Sequence, residues 1–304
     1  MDQIDGKTLL IIAGVGKAGT TSLFSYLAQH PDICSSDVKE VNYFSTVRYP
    51  GPNIPPFESY LQHYSSCREK PIFLEASPGY FPGGEATARR IYQHHPEARF
   101  IIIFREPVKR LFSFYNYYKS RVQLRRGMNF DEYVQECLKI PEEEIFLPEN
   151  RVFRGVYESF YSKFLPGWHQ VFPNEQIKIL FFEQLFTQIK PSLADICEWI
   201  QVPSQSYLQT VKLTRENKSM LYRSKFLQRV SISVNKLAEV FWRKYPNLKD
   251  KLRSIYFILN GKPSEEKISA EMEQRLRYMF APYNKELKVQ LQALGYSDLP
   301  EWLK

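Results

Sequence analysis

The first pattern along the chain is a set of four short apolar runs that do not alternate with polar residues. They cover residues 9–15, 72–74, 100–104 and 177–182, and each is rich in Ile, Leu or Phe. Strands that neighbouring layers cover on both faces have this composition, whereas half-exposed strands alternate. The four runs therefore predict buried strands of a parallel sheet.

Helical patterns lie between these strands. The predicted helices cover residues 20–29, 86–95, 109–121 and 191–200. The first two stop next to Pro31 and Pro96, because proline cannot continue a helix. Alternating strands and helices indicate an α/β fold, with a mostly parallel, P-loop-like sheet flanked by helices and connected by right-handed crossovers.

Beyond Pro203 the sequence shows no further strand. The remaining chain contains two amphipathic patterns that predict helices, at residues 224–243 and 268–294. We therefore expect one domain over residues 1–304, with a core at about 7–203 and a helical lid and C-terminal helices at about 204–304.

The chain is basic, with 41 Lys and Arg against 33 Asp and Glu and a formal charge of +8. The excess is local, because residues 211–253 hold twelve basic and three acidic side chains. Such a balance favours anionic partners, which include nucleotides, sulfated or phosphorylated substrates, nucleic acid and anionic membranes. Charge alone does not choose among these.

The four cysteines, Cys34, Cys67, Cys137 and Cys197, form no CxxC pair and no Cys/His cluster. We therefore expect no structural zinc site, and four small core residues in a reducing compartment. The chain opens with acidic residues, where a signal peptide would be basic, and its apolar run is too short to span a bilayer. We therefore expect no signal peptide and no membrane span. These features predict a soluble, cytoplasmic protein.

The segment after the first strand has the features of an anion-binding loop. It contains three glycines and Lys17, and the next helix opens with Thr20 and Thr21. Glycines let backbone N–H groups approach a phosphate, and the helix N-terminus adds unpaired donors and a partial positive charge. Lys17 adds a full charge, and the threonine hydroxyls can donate to phosphate oxygens.

This loop is not a Walker A motif. That motif has glycine five residues before its Gly-Lys pair and a hydroxyl residue directly after the lysine. Ile11 and Ala18 occupy these positions here. The missing magnesium-binding hydroxyl argues against an ATPase or GTPase, and a small-molecule kinase using ATP is kept as the alternative enzyme.

A second candidate anion site follows the strand at 100–104. Arg105 comes at its carboxyl end, Glu106-Pro107 turns the chain, and Ser113 lies in the next helix. Open α/β sheets bind ligands at the carboxyl ends of their strands. An arginine fork and a serine hydroxyl there could hold one phosphate together.

These motifs together resemble those of sulfotransferases that use 3′-phosphoadenosine 5′-phosphosulfate (PAPS). The glycine loop with its GTTSL ending is similar to their 5′-phosphosulfate loop, and the eight-residue spacing from Arg105 to Ser113 is similar to their 3′-phosphate motif. The heparan sulfate and bacterial branch is most similar, since it also has motifs matching His30-Pro31, Lys39-Glu40 and Tyr43-Phe44, the stretch LEASPGYF, and residues 155–185.

The resemblance implies a set of cofactor-binding residues for PAPS and its product, 3′,5′-adenosine bisphosphate, with no metal. Lys17 would stabilise the leaving phosphate. The 5′-phosphate would be held by Gly16, Lys17, Ala18, Gly19, Thr20 and Thr21, the 3′-phosphate by Arg105 and Ser113, with further contacts from Lys218 or Arg223.

The resemblance also implies that Glu40 is the catalytic base. A base must reach the acceptor hydroxyl, and partial burial would raise the pKa of its carboxyl group toward neutrality. The alternative bases are His63, His94 and His95, and Glu40 could instead only pair with Lys39 or Arg48.

The acceptor is expected to be a small or medium hydroxylated molecule, such as a secondary metabolite, glycolipid or carbohydrate, and N-sulfation stays open. Ala76 replaces a lysine that heparan-type enzymes often have, which weakens the case for a polyanionic glycan. Nucleic acid is not an expected partner, since no nucleic-acid module appears. For the basic aromatic segment around Trp242 we favour an acceptor-site lid over membrane contact. A non-catalytic anion-binding protein is the third alternative, and no oligomeric state is indicated.

Overall fold

The computed structural model describes residues 6–49, 51, 53–213, 220–238, 252, 255–256, 258–263 and 266–304. The chain divides into two units. The first comprises Met1–Arg110, Glu158–Asn217 and Arg277–Lys304, and the second comprises Leu111–Tyr157 and Lys218–Leu276. The expected single domain over the whole chain stays a prediction.

The first unit contains a five-stranded parallel sheet. Its strands are β1 Thr8–Gly14, β2 Ile33–Ser35, β3 Ile72–Ala76, β4 Arg99–Phe104 and β5 Ile177–Phe181. Their order is β2-β3-β1-β4-β5, and every pair is parallel. Central β1 buries six of its seven residues, as its apolar sequence requires. The predicted parallel sheet is confirmed, and β2 is the strand that the apolar pattern did not indicate.

Helices occur in both units. They are α1 Thr20–Leu27, α2 Phe57–Leu61, α3 Gly84–His94, α4 Pro107–Ser120, α5 Phe130–Lys139, α6 Leu165–His169, α7 Phe182–Thr187, α8 Ile189–Trp199, α9 Gln205–Thr210, α10 Lys225–Leu237 and α11 Ala270–Ala293. The four predicted core helices are present as α1, α3, α4 and α8, with ends shifted by up to two residues.

The second unit includes two strands that the sequence analysis did not expect. Strands β6 Met220–Tyr222 and β7 Gly261–Pro263 pair as an antiparallel ribbon. The expectation that strands cease after Pro203 is therefore wrong. Each strand has only three residues, and the glycine and proline of β7 are typical of a loop, so neither strand leaves a periodic pattern.

Residues distant in sequence complete the core of the first unit. Trp168 of α6 is wholly buried, packs on Phe100 with ring centroids 5.1 Å apart, and donates a hydrogen bond to the Phe81 carbonyl at 3.1 Å. The hydroxyl of Tyr296, near the end of the chain, accepts the backbone N–H of Ile179 in β5 at 2.9 Å. The C-terminal segment of the chain is thus part of the first unit, which also contains β1.

Two of the four cysteines form a disulfide. Cys34 of β2 is bonded to Cys67, 33 residues later, with a Cα–Cα distance of 5.5 Å. This corrects the expectation of four unpaired core cysteines, because sequence spacing does not show that β2 lies beside the turn at residue 67. Cys137 and Cys197 are buried free thiols, as expected. The compartment stays a prediction. Within the part of the chain that the structure describes, no helix is long and apolar enough to cross a membrane.

Candidate active site

The predicted anion-binding loop connects β1 to α1 at the carboxyl edge of the sheet. Its last residue, Gly19, caps α1 with a positive φ of 83°. A Cβ atom on Gly19 would lie 2.3 Å from the ring of Phe186 in α7. Glycine is therefore required here both for the backbone conformation and for the close approach of α7. Thr20 and Thr21 form the first turn of α1, whose N–H groups have no acceptor within the helix.

The Ala18 N–H group already donates to the Val15 carbonyl at 3.2 Å. Its predicted part in phosphate binding stays a prediction that requires this bond to open or be shared. Gly16 is held through its carbonyl, which accepts a hydrogen bond from Arg110 at 2.9 Å.

Lys17 lies in a cluster of charged groups. Its backbone has a positive φ of 72°. Burial, assisted by the positive charge of Arg105, lowers the pKa of Lys17 to about 8, and Glu40 partly opposes this shift. The structure thus brings together three residues that the sequence separates by up to 88 positions, namely Lys17, Glu40 and Arg105.

Arg105 extends from the carboxyl end of β4 toward the loop. One of its terminal nitrogens donates to the Lys17 carbonyl at 2.9 Å, and its guanidinium carbon lies 4.4 Å from the centroid of the Phe182 ring. Its buried Nε atom has no hydrogen-bond partner. Burial lowers the pKa of Arg105. A half-buried cation with an unused donor is suited to an anionic ligand.

Arg110 supports the loop through a hydrogen bond to the Gly16 carbonyl, a role that the sequence analysis did not identify. Its side chain is wholly buried, and Nε donates to the Gly16 carbonyl at 2.9 Å. Its two terminal nitrogens donate to Ser159 at 2.9 Å and to Glu158 at 2.6 Å. The only signal in the sequence is an arginine within the apolar face of α4, and its partners lie almost fifty residues away.

Glu40 lies on the segment that follows β2. Its N–H donates to the Ala76 carbonyl at the end of β3 at 3.0 Å, so its backbone is fixed to the sheet. Its side chain is 52% exposed and forms an ion pair with Lys39 at 2.8 Å. The pairing that sequence analysis gave as the alternative role therefore exists, and the exposure leaves the carboxylate accessible to an acceptor.

The three alternative bases are less suited to this role. His95 is buried and accepts the N–H of Leu9 at the start of β1, the opposite edge of the sheet from Lys17. The ring of His94 is stacked on Phe57, and its pKa is lowered by burial. His63 is paired with Asp37 at 2.5 Å.

Three predicted cofactor-binding residues lie elsewhere in the chain. Ser113 is a half-buried residue of α4 within the second unit, so its pairing with Arg105 stays a prediction. Arg223 is exposed beside β6, where its N–H donates to the Asn260 carbonyl at 2.7 Å. Lys218 and Trp242 lie outside the described residues.

An aromatic groove of about 540 Å³ runs along α3 in the first unit. It is lined by Tyr43, Ile54, Pro55, Phe57, Ala86, Arg89, Arg90, Gln93 and His94. Among the described residues, no group of three or more His, Cys, Asp or Glu side chains could hold a metal ion.

The sequence of this chain matches that of a known protein family. The sequence model of the family described as "Sulfotransferase domain" matches residues 7–244. Human heparan sulfate glucosamine 3-O-sulfotransferase 5 is 29% identical over 202 residues, which are 66% of this chain and 56% of that protein. The chain thus spans little more than half the length of this curated relative. The membrane-associated sulfotransferase kil1 of Dictyostelium discoideum is 32% identical over 118 residues, 38% of this chain and 24% of that protein.

A solved structure shares the fold over nearly the whole chain. The crystal structure of a sulfotransferase from Alicyclobacillus acidocaldarius superposes with a TM-score of 0.67, covering 97% of this chain and 98% of the other at 20% identity. At this identity the likeness concerns the fold.

Proposed function

Because the chain belongs to the sulfotransferase domain family, we propose that it transfers the sulfuryl group of PAPS to a hydroxyl group of a small-molecule or carbohydrate acceptor. The observation that carries the proposal is the convergence of Lys17, Arg105 and Glu40 at the carboxyl edge of the sheet. Family membership supports this enzyme class over the ATP-dependent kinase and over a non-catalytic anion-binding protein.

The residues at this edge fit an anionic nucleotide. Burial, together with the neighbouring positive charges of Arg105, Lys39 and Arg110, lowers the pKa of Lys17 to about 8. A concentration of positive charge of this kind attracts an anion. The unused Nε of Arg105 and the first turn of α1 provide the matching donors.

We assign the 5′-phosphate end of the nucleotide to the loop and the first turn of α1, namely Gly16, Lys17, Ala18, Gly19, Thr20 and Thr21. Arg105 with Ser113 would hold the 3′-phosphate, and Arg223 or Lys218 would add a contact. When bound, PAPS would supply an activated sulfuryl group attached to a phosphate leaving group.

Two side chains would carry the chemistry. Glu40 accepts the proton of the acceptor hydroxyl, for which its exposed carboxylate is accessible. Lys17 keeps positive charge where negative charge develops on the leaving oxygen, in a largely dehydrated position where a charge is effective. Since its pKa is about 8, activity should fall as Lys17 loses its proton at higher pH.

Nucleotide binding is tested by thermal-shift titration of the whole chain. The ligands are 3′,5′-adenosine bisphosphate without metal, AMP, and ATP with magnesium. At one hundred times its dissociation constant, the bisphosphate should stabilise the protein by roughly 2.7 kcal/mol, and AMP should have much less effect. Stabilisation by ATP with magnesium alone would replace this proposal with the kinase.

Transfer is tested by the release of the bisphosphate from PAPS, with water, phenyl β-glucoside or a desulfated heparan oligosaccharide as the acceptor. Lys17→Ala should lose at least about 100-fold in turnover, while the matched control Lys190→Ala, an exposed residue of α8, should keep wild-type turnover. Glu40→Gln should bind the bisphosphate normally and turn over at least about 100-fold more slowly. Full turnover in Glu40→Gln would remove Glu40 as the base.

A further inference from the structure

Strand β3 carries an acidic residue in the interior of the sheet. Glu75 has no exposed surface, and it pairs in register with Ile11 of β1. Neither carboxyl oxygen makes a hydrogen bond of ordinary length and angle. Burial raises the pKa of Glu75 to about 8, and the hydroxyls of Tyr80 and Tyr60, which face the carboxyl, moderate the shift. Burial therefore favours the protonated, uncharged form of Glu75 at neutral pH.

The residues around Glu75 hold the segment that contains Glu40. On its two sides, the carbonyls of Leu74 and Ala76 accept the N–H groups of Ser36 and Glu40 at 2.9 and 3.0 Å. Beyond the strand, the Ser77 hydroxyl accepts the N–H of Asn42 at 3.0 Å. The segment from Ser36 to Phe44 is thus attached to β3 and its continuation.

This attachment opposes an unfavourable backbone conformation. Glu40 and Asn42 both have positive φ, at 67° and 55°. Asparagine adopts this region fairly readily, but glutamate does so only when surrounding contacts hold it there. The orientation of the Glu40 carboxylate therefore depends on the hydrogen bonds that fix the segment.

Tyr80 connects Glu75 to the far end of the segment. The buried Tyr80 hydroxyl oxygen accepts the N–H of Phe44 at 3.1 Å. Its own proton is therefore directed elsewhere, and both the Glu75 carboxyl and the Ser77 hydroxyl face it. The groups around Glu75 are tyrosines from three elements: Tyr60 of α2, Tyr64 of the turn after it, and Tyr80 after β3. No basic side chain of the described residues compensates a charge on Glu75.

We propose that Glu75 is a positioning residue, whose carboxyl group orients the Tyr80 hydroxyl that accepts the Phe44 N–H and thereby holds Glu40 in place for proton removal. The inference rests on the proposed function, in which Glu40 is the base. Ionisation of Glu75 would place an uncompensated charge inside the sheet and loosen the Ser36–Phe44 segment.

The decisive comparison uses three substitutions. Glu75→Gln keeps the size and an acceptor oxygen but never ionises, Glu75→Leu removes the polar group, and Tyr80→Phe removes the hydroxyl alone. In the PAPS assay at pH 7, we expect Glu75→Gln within about twofold of wild type, Tyr80→Phe about fivefold slower, and Glu75→Leu up to about 100-fold slower. Glu97→Gln and Tyr92→Phe, at exposed positions of the same unit, are the matched controls.

The pH profile separates positioning from a general structural role. Between pH 7 and 9 the ratio of Glu75→Gln turnover to wild-type turnover should rise by up to about tenfold, because only wild type loses a proton at residue 75. Deprotonation of Lys17 affects both proteins equally and cancels in the ratio. A constant ratio would overturn the inference.

Two further measurements do not depend on the unknown acceptor. Amide hydrogen exchange of the Ser36–Phe44 segment should accelerate in Glu75→Leu and Tyr80→Phe and stay slow in Glu75→Gln, whereas bisphosphate binding should be unchanged. Parallel loss of bisphosphate binding in Tyr80→Phe would show a general structural defect and overturn the inference, even if Glu75→Leu fails to fold.

Glu40→Gln distinguishes this inference from the proposed function. Adding Tyr80→Phe to Glu40→Gln should slow turnover no further, since Tyr80 acts through the base. If Glu40→Gln turns over normally, the proposed base is wrong. If Glu40→Gln is slow and the Glu75 and Tyr80 variants match wild type, only the positioning role is wrong.

Discussion

The Cys34–Cys67 disulfide should be a major contributor to the stability of the first unit. It closes a loop with a sequence separation of 33 residues. By the loop-entropy relation, a closed loop of this size removes about 12.5 cal/mol/K from the unfolded chain, which is ~3.7 kcal/mol at 25 °C. That is a large fraction of the ~5–15 kcal/mol by which domains are usually stable.

The assay is urea unfolding of the oxidised protein, of the protein reduced with dithiothreitol, and of Cys67→Ala with and without the reductant. Reduction should lower the unfolding free energy of wild type by about 3–4 kcal/mol. Cys67→Ala should be equally destabilised and should not respond to the reductant, which controls for effects of dithiothreitol on the two free thiols.

Two results would refute this reasoning. The first is alkylation of all four cysteines when the unreduced protein is denatured, because only Cys137 and Cys197 should react. The second is an unchanged urea midpoint after complete reduction, which would mean that the unfolded chain gains no freedom. Since Glu40 lies inside the closed loop, reduction should also lower turnover before it unfolds the protein.

Three other changes test the packing of the site. Gly19→Ala should destabilise the protein by about 2 kcal/mol or more in thermal unfolding, because the new Cβ atom would overlap the Phe186 ring. Gly295 also has a positive φ but faces open space, so Gly295→Ala should lower the stability by only about 1–2 kcal/mol. Arg110→Met should cost about 3–5 kcal/mol in urea unfolding, because it leaves the Glu158 carboxylate without its buried partner; an unchanged midpoint would contradict this. Glu75 binds its proton more tightly in the folded protein than in the unfolded chain, because its pKa is raised from 4.5 to about 8. The resulting contribution to the free energy of unfolding is complete below pH 4.5 and falls by up to about 5 kcal/mol as the pH rises toward about 8. Glu75→Gln should flatten this part of the stability profile.

The sequence was sufficient to predict the elements with a strong apolar pattern. The runs at β1, β4 and β5 are long enough to identify a buried strand, and the glycines with Lys17 identify the loop between β1 and α1. Strand β2 has only three residues, which is too short for any periodic signal. Strands β6 and β7 also have three residues each, so the sequence pattern did not indicate them either.

The supporting residues of the site were harder to predict. Arg110 can support the loop because it donates hydrogen bonds to Glu158 and Ser159, which lie close to it only in the folded chain. The Cys34–Cys67 pair depends on the proximity of a strand and a turn, which spacing does not show. Glu75 did leave a signal, a single acid within an otherwise apolar strand, but its meaning required the hydrogen bonds of the neighbouring segment.

The assembly of the first unit from three chain segments has a consequence for the order of folding. Strand β5 and the segment Arg277–Lys304 are joined by the Tyr296 hydrogen bond, yet Lys218–Leu276 is synthesised between them. The sheet, whose five strands lie between residues 8 and 181, can therefore form early in synthesis, but the first unit can be completed only after the ribosome has passed Lys218–Leu276. Contacts of such long sequence separation slow folding and leave apolar surface exposed in the interim. Substitutions in the second unit, far in sequence from the site, should thus lower the yield of active protein in cells even where they leave the folded enzyme unchanged.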